Sequence, residues 1–167
     1  MKAEFIEKFI AENGDIINEV NKSVELPFSR VSARAIVVRQ GDGAILGTLH
    51  RQGGRYALPG GAVDDGESAA AAVARELQEE NIILVGDDGQ WRERVSVSYF
   101  GGYKELAVWY LFVVADAEIE PCEENIETRW IAQSEDVWYP FMREKILLML
   151  NDQLPDLAQL TVSLFPV

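Results

Sequence analysis

Three glutamates, Glu76, Glu79 and Glu80, stand three and four positions apart in a stretch of alanines and straight-chain residues. That composition over residues 68–80 favours a helix, with Ser68 placed to cap its first turn and Asn81 to end it in a left-handed conformation. On a helix, residues at i, i+3 and i+4 share one side, so the carboxylates converge. Carboxylates this close repel one another unless some are protonated or a cation lies between them. A hard divalent ion, Mg²⁺ or Mn²⁺, answers that need with oxygen ligands. Arg75 lies four residues before Glu79, where its guanidinium can pair with that carboxylate and fix its orientation.

The helix is preceded by Leu58-Pro59-Gly60-Gly61. Neither glycine has a Cβ and both tolerate positive φ, which suits a loop whose backbone approaches another group closely, and a carbonyl there would complete an ion's shell. Val73, Leu77, Ala70 and Ala74 form an apolar stripe that packs inward, while Ala69 and Ala72 leave room around the acids. An isolated Glu/Arg run is usually a solvated helix face. Here the glycine loop, the intervening Glu67 and the run Arg75-Glu76-Leu77-Gln78-Glu79-Glu80 occur together, which points to a site.

At these residues the chain resembles the Nudix hydrolase family. The family's box runs glycine, five residues, glutamate, seven residues, Arg-Glu, an aliphatic, any residue, Glu-Glu, any residue, glycine, aliphatic. Gly61, Glu67, Arg75, Glu76, Leu77, Glu79, Glu80 and Ile83 occupy it with the spacing intact. One position departs, since Ile82 stands where the family has glycine; Asn81 is the next-best residue for the same left-handed turn, so the helix end is expected to shift by one position.

The resemblance implies an α/β (α+β) fold, a Nudix-like α/β/α sandwich around a mixed β-sheet. It implies Glu76, Glu79 and Glu80 as ligands of Mg²⁺ or Mn²⁺, Gly60 as carbonyl donor, and Arg75 as the residue that orients a glutamate. It further implies a carboxylate in the later acidic loop, acting as ligand or base. Glu124 is the choice there, with Glu123 and Glu127 as rivals. Gly61 and Glu67 of the box are expected at the substrate. Tyr99 and Tyr103 offer ring faces on which a base could stack, although core packing is the commoner use of such residues. Tyr99 lies where a tyrosine accompanies dinucleoside polyphosphate hydrolysis in this family.

Composition narrows the partners. The 167 residues are 48% hydrophobic, enough for one well-buried core, and the formal charge is −13. With a pI near 4.4, binding through a nucleic-acid backbone is not expected, but a small anionic nucleotide can be held if metal ions bridge the like charges. Cys122 is the one cysteine, which gives no intramolecular disulfide and no cysteine zinc site. His50, the one histidine, reads as a surface or hydrogen-bonded residue at a strand end. The N-terminus lacks the apolar core of a signal peptide and the longest apolar run is too short to span a bilayer, so a cytoplasmic protein without membrane contact is expected.

The positioning elements follow from periodicity. Residues 31–39 and 44–50 read as a hairpin, 56–58 as a short strand into the glycine loop, and 82–85 as a strand after the helix. Alternation from Trp91 to Tyr99 and the apolar run 105–115 read as a second hairpin, followed by an acidic loop over 116–124, a strand over 128–132 and a helix from Pro140. One domain spans 1–167, with an N-terminal helical extension over about residues 1–22 and a short tail over about 155–167. The extension would cover a core edge or form a homodimer contact. The function this implies is metal-dependent cleavage of the pyrophosphate in a nucleoside diphosphate linked to another group. Its rivals are a pyrophosphatase acting on nucleoside triphosphates and a non-catalytic nucleotide-binding regulator.

Overall fold

The computed structural model describes residues 30–87, 89–100 and 103–159; the side chains of Tyr99, Phe100 and Tyr103 are outside the described part, as is the expected N-terminal helical extension. In chain order the elements are β1 (Arg30–Arg39), β2 (Ile45–His50), β3 (Tyr56–Ala57), β4 (Gly60–Ala62), α1 (Ala69–Glu79), β5 (Ile82–Val85), β6 (Trp91–Phe100), β7 (Tyr103–Val114), β8 (Asp116–Ile119), β9 (Asn125–Ile131) and α2 (Pro140–Leu150).

β1 and β7 form the spine. They pair in parallel over ten residues, from Arg30↔Glu105 to Arg39↔Val114, and β6 pairs antiparallel to β7. Strands buried on both faces read as near-continuous apolar runs, and each face then takes alternate side chains. Ala33, Ala35 and Val37 of β1 and Val108, Tyr110, Phe112 and Val114 of β7 pack with Ala69, Ala70, Ala72, Val73 and Leu77 of α1. Ile36, Ala107 and Trp109 point the other way, into a layer completed by Met142, Ile146 and Met149 of α2. Among the described residues, one helix therefore covers each face of a mixed sheet, as a sandwich requires. Each large aliphatic side chain withdrawn from water here stabilises the fold by roughly 1.5–3 kcal/mol.

Three stretches depart from the sequence reading. Gly60 and Gly61 lie in a strand, β4, which pairs antiparallel with the first half of β1. The acidic segment after residue 115 begins as β8, paired with β5; Asp116 and Glu118 face solvent while Ala117 and Ile119 pack against the core, and the outward acids mask the strand period. β9 starts at Asn125, earlier than expected, because its pairing with β2 begins at His50↔Asn125.

The sheet forks at β1. Its far end pairs with β2 at Val38↔Ile45, whereas its first half pairs with β4 at Ser32↔Ala62, Ala33↔Gly61 and Arg34↔Gly60. The end of β2, the start of β9, β4 and the end of α1 meet around that fork.

Candidate active site

α1 is tied at both ends. Ser68 Oγ accepts from the Ala71 backbone N–H at 3.1 Å, and the chain leaves the helix through Asn81 at φ 56. The left-handed residue is thus the asparagine, and Ile82 starts an extended strand. Asn81 Nδ2 also donates to the Pro121 carbonyl at 2.7 Å, which fastens the helix end to the segment carrying Glu124.

Glu76, Glu80 and Glu124 each present a carboxylate oxygen within 4.8 Å of the others. Glu80 is 1% exposed. Its Oε1 accepts from Asn125 Nδ2 at 3.4 Å, and among the described residues its Oε2 has no partner, nor has the nearby Asn125 Oδ1. Burial first, with the Glu76 charge adding to it against the Asn125 hydrogen bond, pushes the Glu80 carboxyl up to about 8. Burial raises Glu76 as well, opposed by Arg75. A buried carboxylate oxygen without a donor is expensive as an anion, and a divalent cation relieves both the desolvation and the repulsion. The donor set of three carboxylates fits a hard ion.

The glycines shape this cluster. A Cβ on Gly61 would stand 2.6 Å from Glu76 Oε1, and one on Gly60, at φ 137, would meet the Ala33 carbonyl and the Arg34 Cα. Gly61 thereby vacates the space that the Glu76 carboxylate fills, and Gly60 lets β4 lie close against β1. Successive residues of a strand face opposite ways, so Glu76 and Arg34 flank β4 on its two sides.

Arg75 is the hub of a second set of contacts. Its fork grips Glu67, Nε to Oε2 at 2.9 Å and Nη2 to Oε1 at 3.0 Å. It also donates to the Ala62 carbonyl at 3.1 Å, to Glu76 at 3.2 Å and to Glu79 at 3.3 and 3.4 Å. Arg75 does pair with Glu79, but its shorter, two-pronged contact is with Glu67. Glu67 was expected at the substrate; instead Arg75 takes both its oxygens, Oε1 also accepts from the Asp64 backbone N–H at 3.2 Å, and the Arg75 hydrogen bonds hold its carboxyl below the usual range. Glu79 was expected among the ion ligands; its side chain is 48% exposed and turned to Arg75, and it is not one of the three convergent acids. The helical rotation that buries Glu80 carries Glu79 outward.

Among the acids of the later segment, Glu124 reaches the cluster. Glu123 contributes its carbonyl to Arg51 Nε at 2.6 Å, and Glu127 accepts from the Tyr56 hydroxyl at 2.7 Å. An open groove of about 540 Å³ beside the cluster is lined by Arg51, Glu79, Asn81, Pro121, Cys122, Glu123 and Glu124. The Tyr99 and Tyr103 side chains proposed for base stacking are outside the described residues.

Three residues here escaped the sequence reading. Asn125 is buried against Glu80. His50, read as a surface or hydrogen-bonded residue, is half-buried and feels the charges of Arg34 and Glu124; burial first, then Arg34, lowers its pKa. Arg34 lies within reach of the Glu80 and Glu76 charges. Its signal was available, a lone cation within the otherwise small and apolar run Ala33–Val37 of a buried strand.

A family model described as the NUDIX domain matches residues 29–150. No curated protein matches the sequence. Among solved structures, a MutT Nudix hydrolase from Burkholderia pseudomallei aligns over 71% of this chain and 95% of its own at 25% identity, with a TM-score of 0.53. The MutT protein from Methanosarcina mazei Go1 aligns over 77% and 97% at 22% identity and a TM-score of 0.56. A bifunctional NMN adenylyltransferase/ADP ribose pyrophosphatase from Francisella tularensis, complexed with AMP and Mn ion, aligns over 88% of this chain and 49% of that one at 22% identity, with a TM-score of 0.60. At 22% identity these last two likenesses speak for the fold.

Proposed function

Because the chain belongs to the Nudix hydrolase family, an enzyme family of pyrophosphohydrolases acting on small nucleotides, we propose that it cleaves the pyrophosphate of a nucleoside diphosphate joined to a second group, such as a sugar, ribose or another nucleoside. The observation that carries this reading is the unpartnered, buried Oε2 of Glu80 beside Glu76 and Glu124. Those three acids, with the Gly60 carbonyl, would hold Mg²⁺ or Mn²⁺, and a bound divalent ion supplies neutralisation of the pyrophosphate and a lower pKa for the attacking water.

The chain's own groups divide the remaining work. Arg75 positions the Glu76 carboxylate while Glu67 anchors Arg75 from behind. Asn125 holds one oxygen of Glu80 and leaves the other free. In the reaction the water oxygen bonds to one phosphorus as the bridging oxygen leaves with the other half. Glu124, exposed at the rim of the cluster, takes the water's proton. The groove beside Glu124 receives the part of the substrate beyond the phosphates.

The test is product analysis with Mg²⁺ over nucleotide sugars, ADP-ribose, dinucleoside polyphosphates and nucleoside triphosphates. Two phosphorylated halves are expected. Monophosphate plus inorganic pyrophosphate from triphosphates alone would replace this substrate class, and nucleotide binding without any hydrolysis would replace the enzymatic reading with a binding one.

A further inference from the structure

We propose that Arg34 is a substrate ligand, gripping non-bridging phosphate oxygens on the side of β4 opposite Glu76; the assignment rests on the pyrophosphatase reading above. Three features place it there. The register sets Arg34 directly across from Gly60, at the fork where the end of β2 and the start of β9 converge. The next residue along β4, Gly61, packs its bare Cα against the Glu76 carboxylate, so Arg34 sits at the level of the acidic cluster. The missing Cβ of Gly60 lies over its stem, with Arg34 Cα and Cγ at 2.7 and 2.9 Å from where that atom would stand.

The guanidinium is also short of partners. Among the described residues Arg34 makes one hydrogen bond, Nη1 to the Leu58 carbonyl at 3.0 Å, and no ion pair within 4.0 Å. Its strongest charge neighbour is Glu105, yet that carboxylate is engaged by the Ser32 hydroxyl at 3.1 Å and by Arg30 Nε at 3.4 Å. An arginine carries five donors in a planar fork suited to two oxygens of one phosphate. Arg34 is half-buried, and burial is the largest influence on its guanidinium, so its unused N–H groups have lost much of their water without gaining protein acceptors. A role confined to clamping the Leu58-Pro59 turn uses one N–H and leaves the rest idle. A partly desolvated cation beside an acidic centre gains most from an anion that both can share.

Equilibrium binding of α,β-methylene-ADP, which hydrolysis cannot consume, tests this with full-length wild type, Arg34→Gln and Arg34→Lys in the presence of Mn²⁺. Free Mn²⁺ affinity is measured in parallel by electron paramagnetic resonance, and thermal melting verifies that each variant is folded. Arg34→Gln is expected to weaken the analogue by about ten- to a hundredfold, the scale of a charge-assisted hydrogen bond, with Arg34→Lys in between and Mn²⁺ affinity within about threefold of wild type. Analogue binding unchanged in folded Arg34→Gln or Arg34→Lys overturns the assignment and leaves the pyrophosphatase reading standing. Loss of Mn²⁺ and analogue together also overturns it, because Arg34 would then act through the acidic cluster. Failure of wild type to bind the analogue overturns both readings.

Discussion

Replacing Glu80 by glutamine isolates the consequence of burying this carboxyl. Glutamine matches the protonated acid in shape and keeps an oxygen for Asn125, but it can never ionise. The folded carboxyl titrates near 8 against an ordinary 4.5. Below 4.5 both folded and unfolded chains hold the proton, and Glu80 contributes no pH dependence. Between 4.5 and 8 the folded chain keeps a proton that the unfolded chain releases, so stability falls as pH rises; above 8 the loss is complete. The accumulated loss is on the order of 3–5 kcal/mol. Urea unfolding in excess chelator, from pH 5 to 8.5, therefore should show wild type and Glu80→Gln nearly equal at pH 5, with the variant progressively more stable towards pH 8.5. Taking the difference between the two curves removes His50 and every other group that titrates in both. Mg²⁺ should restore wild type at pH 8 and leave the variant unmoved, while turnover of the variant falls by a hundredfold or more, on the order of losing a metal-ligand charge. Parallel curves in chelator would refute the reasoning, since the carboxyl would then be solvated and not a buried ligand.

The other expectations follow from the same geometry. Activity should vanish in chelator, and apparent Mg²⁺ affinity should climb as pH rises towards about 8, because the ion must displace the Glu80 proton; a pH-independent affinity would contradict this. Arg75→Lys keeps the charge but loses the two-pronged grip on Glu67, so the turnover number should drop by roughly ten- to a hundredfold with KM little changed; a raised KM at unchanged turnover would mean that Arg75 touches the phosphates. Gly61→Ala should fold yet bind Mn²⁺ at least about tenfold more weakly, since its Cβ displaces Glu76. Gly60→Ala meets backbone at positive φ and should destabilise the protein by on the order of 2–4 kcal/mol in urea unfolding.

The helix and its cap were legible because they depend on local spacing: Ser68 and Asn81 need only the chain on either side of them. What the spacing could not give was rotation to the degree that separates Glu80, sealed against Asn125, from Glu79, turned out to Arg75. That distinction is decided by contacts with β9, far along the chain. The same limit hid β4 and β8. Two glycines and a run of acids have low strand propensity, and each pairs only because β1 or β5 presents an unfilled edge. The grip of Arg75 on Glu67 is hidden for a related reason: the two lie eight residues apart, across a turn whose closure the sequence does not display.

The fork in β1 explains how the half-buried Arg34 and the buried Glu80 can lie so near each other. Alternation along β1 puts Arg34 on the same face as Ile36, which packs under α2, and an unpaired guanidinium within that apolar layer would be strongly disfavoured. By leaving β2 and taking β4, β1 brings Arg34 beside a short glycine strand whose other side faces Glu76. The glycines keep the two layers thin enough for Arg34 and the acids to feel one another, while β4 keeps them from collapsing into a direct ion pair within 4.0 Å. A salt bridge there would stabilise the empty protein and occupy both partners. Held apart, the acids remain available to a cation and the arginine to an anion, which is the arrangement a metal-bound pyrophosphate requires.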